Sequence, residues 1–334
     1  MEGGLVVFRY VDCIDAGSVY CPCELATKGE CIICSQLHGK EFCDCLNWKG
    51  TCIYQEYIWN GGKSNKTREF RKYSIINKEY LRDDILKLDI KVTKSLSRNL
   101  NNLGSFVFLK NEKDIDPYSI PISILDSDVV NNVISVVIKK QGIKSKAIFE
   151  CEKEILVKGP YWNGIQGQKY LKELKNSSCL ILCRGIASAP AVLAAKKIIK
   201  NNNEVYVMLD RGRSRENFAK PYFISLGCNV EDVSFLDYSG ELKEQYKFEI
   251  EKLLKKWNFK TVLSAGSDEF HVKMINFIYN IDKYINFATV NNTTMCCGEG
   301  ICGSCIIKGK NNEKIRACKQ QYDPKEVFLR GISK

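Results

Sequence analysis

Between residues 68 and 158 the chain alternates apolar and polar positions in short runs. Runs at 70–77, 85–93, 105–110, 120–125, 133–140 and 154–158 each predict an antiparallel strand. Six such strands suit a small closed barrel. After Lys169 the pattern changes. Residues 179–183 form an unbroken apolar run, as in a strand buried on both faces. A helix over 189–199 follows, with Pro190 tolerated in its first turn, then a strand over 204–209. Further on the pattern predicts a helix over 215–225 interrupted by Pro221, a helix over 240–257, a strand over 261–264 and a helix over 269–279. Strands alternating with helices predict a parallel βαβ sheet. The stretch Asn60-Gly61-Gly62-Lys63-Ser64-Asn65-Lys66 reads as a linker.

Cysteine changes this picture at both ends. Of 17 cysteines, eight lie between Cys13 and Cys52 and five between Cys296 and Cys318. The other four, Cys151, Cys179, Cys183 and Cys228, read as small buried hydrophobes. Cys297, Cys302, Cys305 and Cys318 are spaced C-x4-C-x2-C-x12-C, the plant-type [2Fe–2S] pattern. Such a loop must turn three thiolates inward around an inorganic core. Gly298, Gly300 and Gly303 suit that, because glycine adopts positive φ and lets backbone approach closely. A zinc knuckle would need paired C-x2-4-C clips, and this loop has one. Cys296 is the spare thiol. Cys13, Cys21, Cys23, Cys31, Cys34, Cys43, Cys45 and Cys52 fit two four-thiolate sites, either further iron–sulfur clusters or zinc. That segment has few aliphatic residues, so metal is expected to supply its folding energy.

Thiols in such number fit a reducing, cytoplasmic setting and an anaerobic one. The N-terminus carries no basic region before its apolar run, and no stretch approaches the roughly 18 apolar residues of a membrane span. The formal charge of +11 suits an acidic protein partner. Nucleic acid is set aside, since no basic stripe is interleaved with aromatics.

Residues 180–190, Leu-Ile-Leu-Cys-Arg-Gly-Ile-Ala-Ser-Ala-Pro, run from a strand through a turn into a helix whose N-terminus would face phosphate. Gly185, Ile186 and Ala187 form that turn. Asp210 ends the next strand and would favour the ribose diol of NADH; Arg211, Arg213 and Arg215 beside it favour the 2′-phosphate of NADPH. Gly266 would let a ligand approach at the third strand-to-helix loop, or serve a helix cap with Ser267 or Asp268. His38 and His271 form no constellation and read as surface or structural residues.

From Arg68 to Val327 these motifs resemble the electron-transfer subunit of dihydroorotate dehydrogenase and its relatives in the ferredoxin–NADP reductase superfamily. Those relatives include the small subunit of sulfide dehydrogenase or NADH-dependent ferredoxin:NADP reductase, the sulfite reductase flavin subunit and the hydrogenase γ subunit. The most specific part is Met295-x-Cys297-Gly298-x-Gly300-x-Cys302-x-x-Cys305. Gly159-Pro160-x-x-Asn163-Gly164 is similar to the family's barrel-to-nucleotide-domain turn. Ala265-Gly266-Ser267 stands where the family has Cys-Gly-Pro. Pro121 and Ser123 match its Arg-Pro-x-Ser flavin motif, with Ile120 in the arginine's place; Gly142, Lys144 and Ser145 stand in its Gly-x-Gly-Thr motif. The resemblance implies a multidomain α+β protein. A Cys-rich metal segment (1–60) would precede an antiparallel FAD-binding β-barrel (66–165), a parallel α/β NAD(P)-binding domain (166–285) and a [2Fe–2S] region (286–334). It implies hydride transfer from NAD(P)H to FAD, with single electrons leaving through the cluster to a separate catalytic redox subunit or an acidic ferredoxin-like carrier. The competing expectation is a metal-binding docking module whose reductase scaffold has lost FAD.

Overall fold

A computed structural model describes residues 12–43, 50–114, 119–212, 217–309 and 313–329. The cysteine-rich segment is compact and short in regular structure. It holds β1 (Asp12–Cys13), α1 (Glu24–Thr27), a 3₁₀ turn at Gln36–His38 and α2 (Ile53–Trp59). Cys21, Ala26, Cys31, Leu37 and Ile53 form its small core. Cys45 lies outside the described residues.

The six predicted strands form a closed barrel. They are β2 (Arg71–Arg82), β3 (Ile85–Lys91), β4 (Phe106–Lys110), β5 (Ile120–Asp128), β6 (Val133–Lys139) and β7 (Glu154–Tyr161), in the order β2-β3-β6-β5-β4-β7. Period-two alternation sends Leu86, Leu88, Ile90, Val107, Leu109, Ile134, Val136 and Ile155 inward. Two helices not expected from the sequence, α3 (Lys94–Leu100) and α4 (Ile143–Phe149), add Leu96, Leu100, Ile148 and Phe149 to that interior. Neither has a long apolar period. Thr93 Oγ1 caps α3 by accepting from Leu96 N at 3.2 Å, and packing supplies the rest.

The second sheet contains β8 (Ile165–Gln166), β9 (Ser178–Arg184), β10 (Glu204–Asp210), β11 (Asn229–Val233), β12 (Thr261–Ala265) and β13 (Asn286–Val290). Its order is β11-β10-β9-β12-β13-β8, parallel except for β8. The short α5 (Gln168–Lys172) enters the sheet. Then α6 (Ser188–Lys200) and α7 (Lys220–Ser225) cover one face, while α8 (Glu244–Trp257) and α9 (Asp268–Ile281) cover the other. Pro221 opens α7 rather than breaking a longer helix. The barrel leans on α6 directly. Ile85, Leu125 and Val137 share a core with Ala191, Val192 and Ala195, and Lys196 pairs with Asp126 at 2.5 Å.

Two expected boundaries shift. Residues 286–290 complete the parallel sheet as β13, so the C-terminal region starts after Val290. The stretch after Trp59 folds back as an ordered turn: Asn60 Nδ2 donates to Lys63 O at 2.8 Å, and Asn65 Nδ2 to Cys21 O at 2.8 Å. The C-terminal region adds β14 (Ile306–Lys308), β15 (Lys314–Arg316), β16 (Gln320–Gln321) and α10 (Pro324–Phe328). β1 pairs antiparallel with β16, which ties the two cysteine-rich ends together. Among the described residues no helix is long and apolar enough to cross a membrane.

Candidate redox site

The C-terminal cysteine loop lies on an aromatic platform. On β4 and β7, Phe106 and Tyr161 stack with centroids 5.1 Å apart, and Phe108 meets Tyr161 edge-on at 5.2 Å. Gly298, at φ +72°, brings the loop against them. A Cβ there would stand 2.6 Å from Tyr161 Cε1 and 2.8 Å from Phe108 Cε2. Met295, Cys305, Ala317 and Cys318 are buried over the same rings. Cys305 and Cys318 hold their sulfurs 3.2 Å apart, within hydrogen-bonding reach. The hydrogen bond from Cys318 brings the Cys305 thiol down to about 6, while Cys318 is held well up. Burial acts to raise Cys302, but hydrogen bonds from Ser304 and Cys297 outweigh it and bring it to about 7. Glu299 N donates to Cys297 Sγ at 3.3 Å. The lowered thiols of Cys302 and Cys305 fit a cluster that takes thiolate ligands. Cys296 is exposed and outside the set. Among the described residues no three His, Cys, Asp or Glu side chains gather as donors to a single ion.

Beneath the loop sits a buried charge network that the sequence motifs did not announce. The Arg68 guanidinium meets Asp15 at 2.9 Å and Glu299 at 3.2 Å. The Lys319 ammonium meets Asp15 at 2.5 Å and Glu299 at 2.9 Å. Tyr161 Oη donates to Glu299 at 2.9 Å, and Tyr20 covers the guanidinium at 3.7 Å. Both cationic side chains are 0% exposed. Burial acts to raise the carboxyl groups of Asp15 and Glu299, but Lys319 and Arg68 outweigh it and hold both below their ordinary values. Lys319 is held up in turn: burial acts against its charge, and Asp15 and Glu299 prevail.

The family-like turn serves this loop. Asn163 is fully buried and donates from Nδ2 to Ala317 O at 2.6 Å and Gln320 O at 2.9 Å. Pro160 O accepts from Arg68 Nε, and Gly164 closes on Gly104, where a Cβ would stand 2.7 Å from the carbonyl oxygen. Gly159 allows a similar approach to Val107. Of these four residues, expected at a cofactor, Asn163 ties the cysteine region to the turn.

In the N-terminal segment the thiols accept backbone hydrogen bonds. Cys31 takes them from Ile33 and Cys34, Cys34 from Gln36 and Leu37, and Cys21 from Gly17. Burial pushes Cys21 up to about 12. Cys13 on β1 is also raised by burial. Cys23 and Cys52 are half-buried, and Cys43 is exposed. His38 Nδ1 lies 2.9 Å from Cys31 O, a structural contact.

On β5 the flavin-motif residues Pro121 and Ser123 pair with Phe108 and Phe106. Ile120 turns to the barrel interior with Ile122. From α4, Lys144 Nζ reaches to 3.5 Å from Ser119 O, beside Ile120. Ser145 Oγ accepts from Gly142 N at 3.0 Å, and the space over Gly142 is open.

At the end of the parallel sheet, Gly185 (φ +61°) and Gly212 (φ +60°) face one another, a Gly212 Cβ standing 3.3 Å from Gly185 Cα. Ser188 Oγ closes the Gly185 turn at 2.8 Å, and Ile186 and Ala187 pack on the core. Asp210 differs from its expected role. It is 4% exposed, accepts from Gly212 N at 2.7 Å and Phe235 N at 3.0 Å, and faces Arg184 at 3.4 Å. Its oxygens are engaged within this chain. Arg213 lies outside the described residues. Gly266 makes room for Phe270, whose Cδ1 would be 2.3 Å from a Cβ. His271 is fully buried against Ser264 Oγ at 2.8 Å, and burial lowers it to about 4, which keeps it neutral.

No family model matches this chain, and no curated protein matches its sequence. Solved structures match its shape. A chain of the NADH-dependent reduced ferredoxin–NADP oxidoreductase, studied for flavin-based electron bifurcation, is similar over 77% of this chain and 91% of its own, with 17% identity and a TM-score of 0.61. This chain has a ferredoxin–NADP reductase-like fold. Full-length CYP116B46 from Tepidiphilus thermophilus is similar over 75% of this chain and 40% of its own, at 13% identity and TM-score 0.51. Flavohemoglobin from Malassezia yamatoensis, solved with FAD and heme, is similar over 71% and 64%, at 14% and 0.50.

Asp15 and Glu299 are held low, so the stability they supply is complete above their unfolded values near about 4 and is lost as pH falls through the folded ones. Lys319 is held high, so its share is complete below about 10 and is lost as pH rises through its folded value. Thermal melts across pH should therefore fall at both extremes. At neutral pH, Lys319→Met leaves a buried excess of negative charge and should cost about 3–5 kcal/mol. A variant melting within about 1 °C of the parent contradicts this.

Proposed function

We propose that this chain is an iron–sulfur flavoprotein electron-transfer subunit of the dihydroorotate dehydrogenase type, moving electrons between NAD(P)H, FAD and iron–sulfur clusters toward a partner redox protein. One observation carries the reading: the four-cysteine loop rests on the outer rings of β4, and β4 pairs directly with the flavin-motif strand β5. Cys297, Cys302, Cys305 and Cys318 would hold a [2Fe–2S] cluster. Pro121, Ser123, Gly142, Lys144 and Ser145 would hold FAD, and the turn at Gly185, Ile186 and Ala187 would receive NAD(P)H. When bound, the flavin accepts a hydride and the cluster carries single electrons.

The protein's own part is positioning. Glu299 N–H and Ser304 keep Cys297 and Cys302 hydrogen-bonded, and Asn163 fixes the carbonyls on either side of Cys318. Phe106, Phe108 and Tyr161 exclude water between the loop and the barrel. Lys144 supplies positive charge toward the flavin phosphates where Ile120 cannot. The N-terminal thiols would carry further iron–sulfur clusters, or zinc, and extend the path toward a catalytic redox subunit or an acidic ferredoxin-like carrier. The net charge of +11 suits such a partner.

A docking module without FAD is the second reading, favoured by Ile120 alone. A visible spectrum and metal analysis of anaerobically purified protein separate the two. Flavin bands with iron in excess of two atoms per chain are expected; a colourless zinc protein refutes the proposal.

Removing the Lys144 charge by Lys144→Gln should weaken FAD retention about tenfold, the effect of losing a charge-assisted hydrogen bond worth about 1.5 kcal/mol. Unchanged FAD affinity would exclude Lys144 from the phosphate site. Cys302→Ala should abolish the [2Fe–2S] EPR signal and Cys296→Ala should preserve it; the opposite pattern breaks the ligand assignment.

A further inference from the structure

A cavity of about 860 Å³ opens at one mouth of the barrel, and the flavin-motif residues Pro121 and Ser123 are not among its lining. Its walls come from three units: Tyr20 of the cysteine-rich segment, Lys66 and Arg68 of the connector, and Arg71, Tyr73 and Val157 of β2 and β7. In the closed order, β2 and β7 are each separated from β5 by at least one strand. Barrel mouths are common ligand sites, and this volume lies within the usual range of about 300–1,000 Å³.

The side chains give the ligand a character. Arg71 pairs in register with inward-facing Val157, and Tyr73, two residues on, packs on the barrel interior. Alternation therefore directs Arg71 to the interior side at the mouth. Among the described residues, neither Arg71 nor Lys66 lies within ion-pair distance of a carboxylate, whereas Arg68 is fully engaged by Asp15 and Glu299. Tyr20 and Tyr73 offer rings, and Leu96, Val157 and Pro160 offer apolar wall. With one carboxylate, Glu69, also in the lining, the two unpaired cations still leave a net positive charge that suits a phosphate, and rings with apolar wall suit a planar base. The space is far larger than phosphate alone fills.

We infer that the barrel mouth binds a mononucleotide, its phosphate on Arg71 and Lys66 and its base against Tyr20 and Tyr73. Because those residues come from the cysteine-rich segment, the connector and the barrel, the ligand bridges all three. Pro121, Ser123, Gly142, Lys144, Ser145 and the Gly185 turn do not line it.

The test uses the full chain and 8-azido-AMP as photolabel, with peptide mapping. Label is expected on peptides carrying Tyr20 or residues 64–73, at least tenfold reduced in Arg71→Gln and reduced also in Lys66→Gln. Both substitutions are at exposed positions, and an unchanged melting temperature confirms that the variants fold. AMP should displace the label at concentrations at least tenfold lower than inorganic phosphate does. Label confined to residues 184–212, undiminished label in both variants, or phosphate competing as well as AMP would each overturn the proposal.

Discussion

Two cations and two carboxylates buried under the cysteine loop are the interaction on which the rest depends. Asp15, Arg68 and the Glu299–Lys319 pair come from three distant regions of the sequence, and each ion contacts both of its counter-ions. Taking such groups from water costs several kcal/mol per ion, and only complete mutual satisfaction offsets it. The arrangement therefore tolerates one geometry. In that geometry β1 lies on β16, the cysteine loop presses onto Tyr161, and the start of the barrel is fixed at Arg68. The cysteine-rich segment is thereby an integral layer of the molecule rather than a tethered knob.

From this fixed point the proposed redox path follows by contact. The loop meets Phe106 and Phe108, β4 pairs with β5, and β5 carries Pro121 and Ser123. Alpha-helix α6 closes the barrel against the parallel sheet, so the Gly185 turn is held to the same body. Lys144 on α4 reaches the carbonyl of Ser119, just before β5, where the proposed function has it stand in for the charge that Ile120 lacks.

The barrel strands and the alternating sheet were legible because burial on one face imposes period two and burial on both imposes unbroken apolar runs. The positions of Gly298, Gly300 and Gly303 at positive φ were legible from the cysteine spacing. The charge network was not. Asp15, Arg68 and Lys319 look like ordinary surface residues in a basic chain, and only tertiary contact makes them interior. Glu299, inside the cysteine loop, was the one member placed where a motif drew notice. Asp210 shows the converse: an acid in the expected position whose oxygens the fold takes for its own turn. Gly159, Pro160, Asn163 and Gly164 were found by resemblance, and Asn163 among them bonds the cysteine region.

The most direct test is a double-mutant cycle on Asp15→Asn and Lys319→Met, read by chemical denaturation of the full chain under anaerobic conditions. If the network docks the N-terminal segment onto the cysteine loop, the two substitutions should couple by about 1–3 kcal/mol, the double variant losing less than the sum of the singles. Additivity within about 0.5 kcal/mol would show that the two groups act independently and would contradict the account.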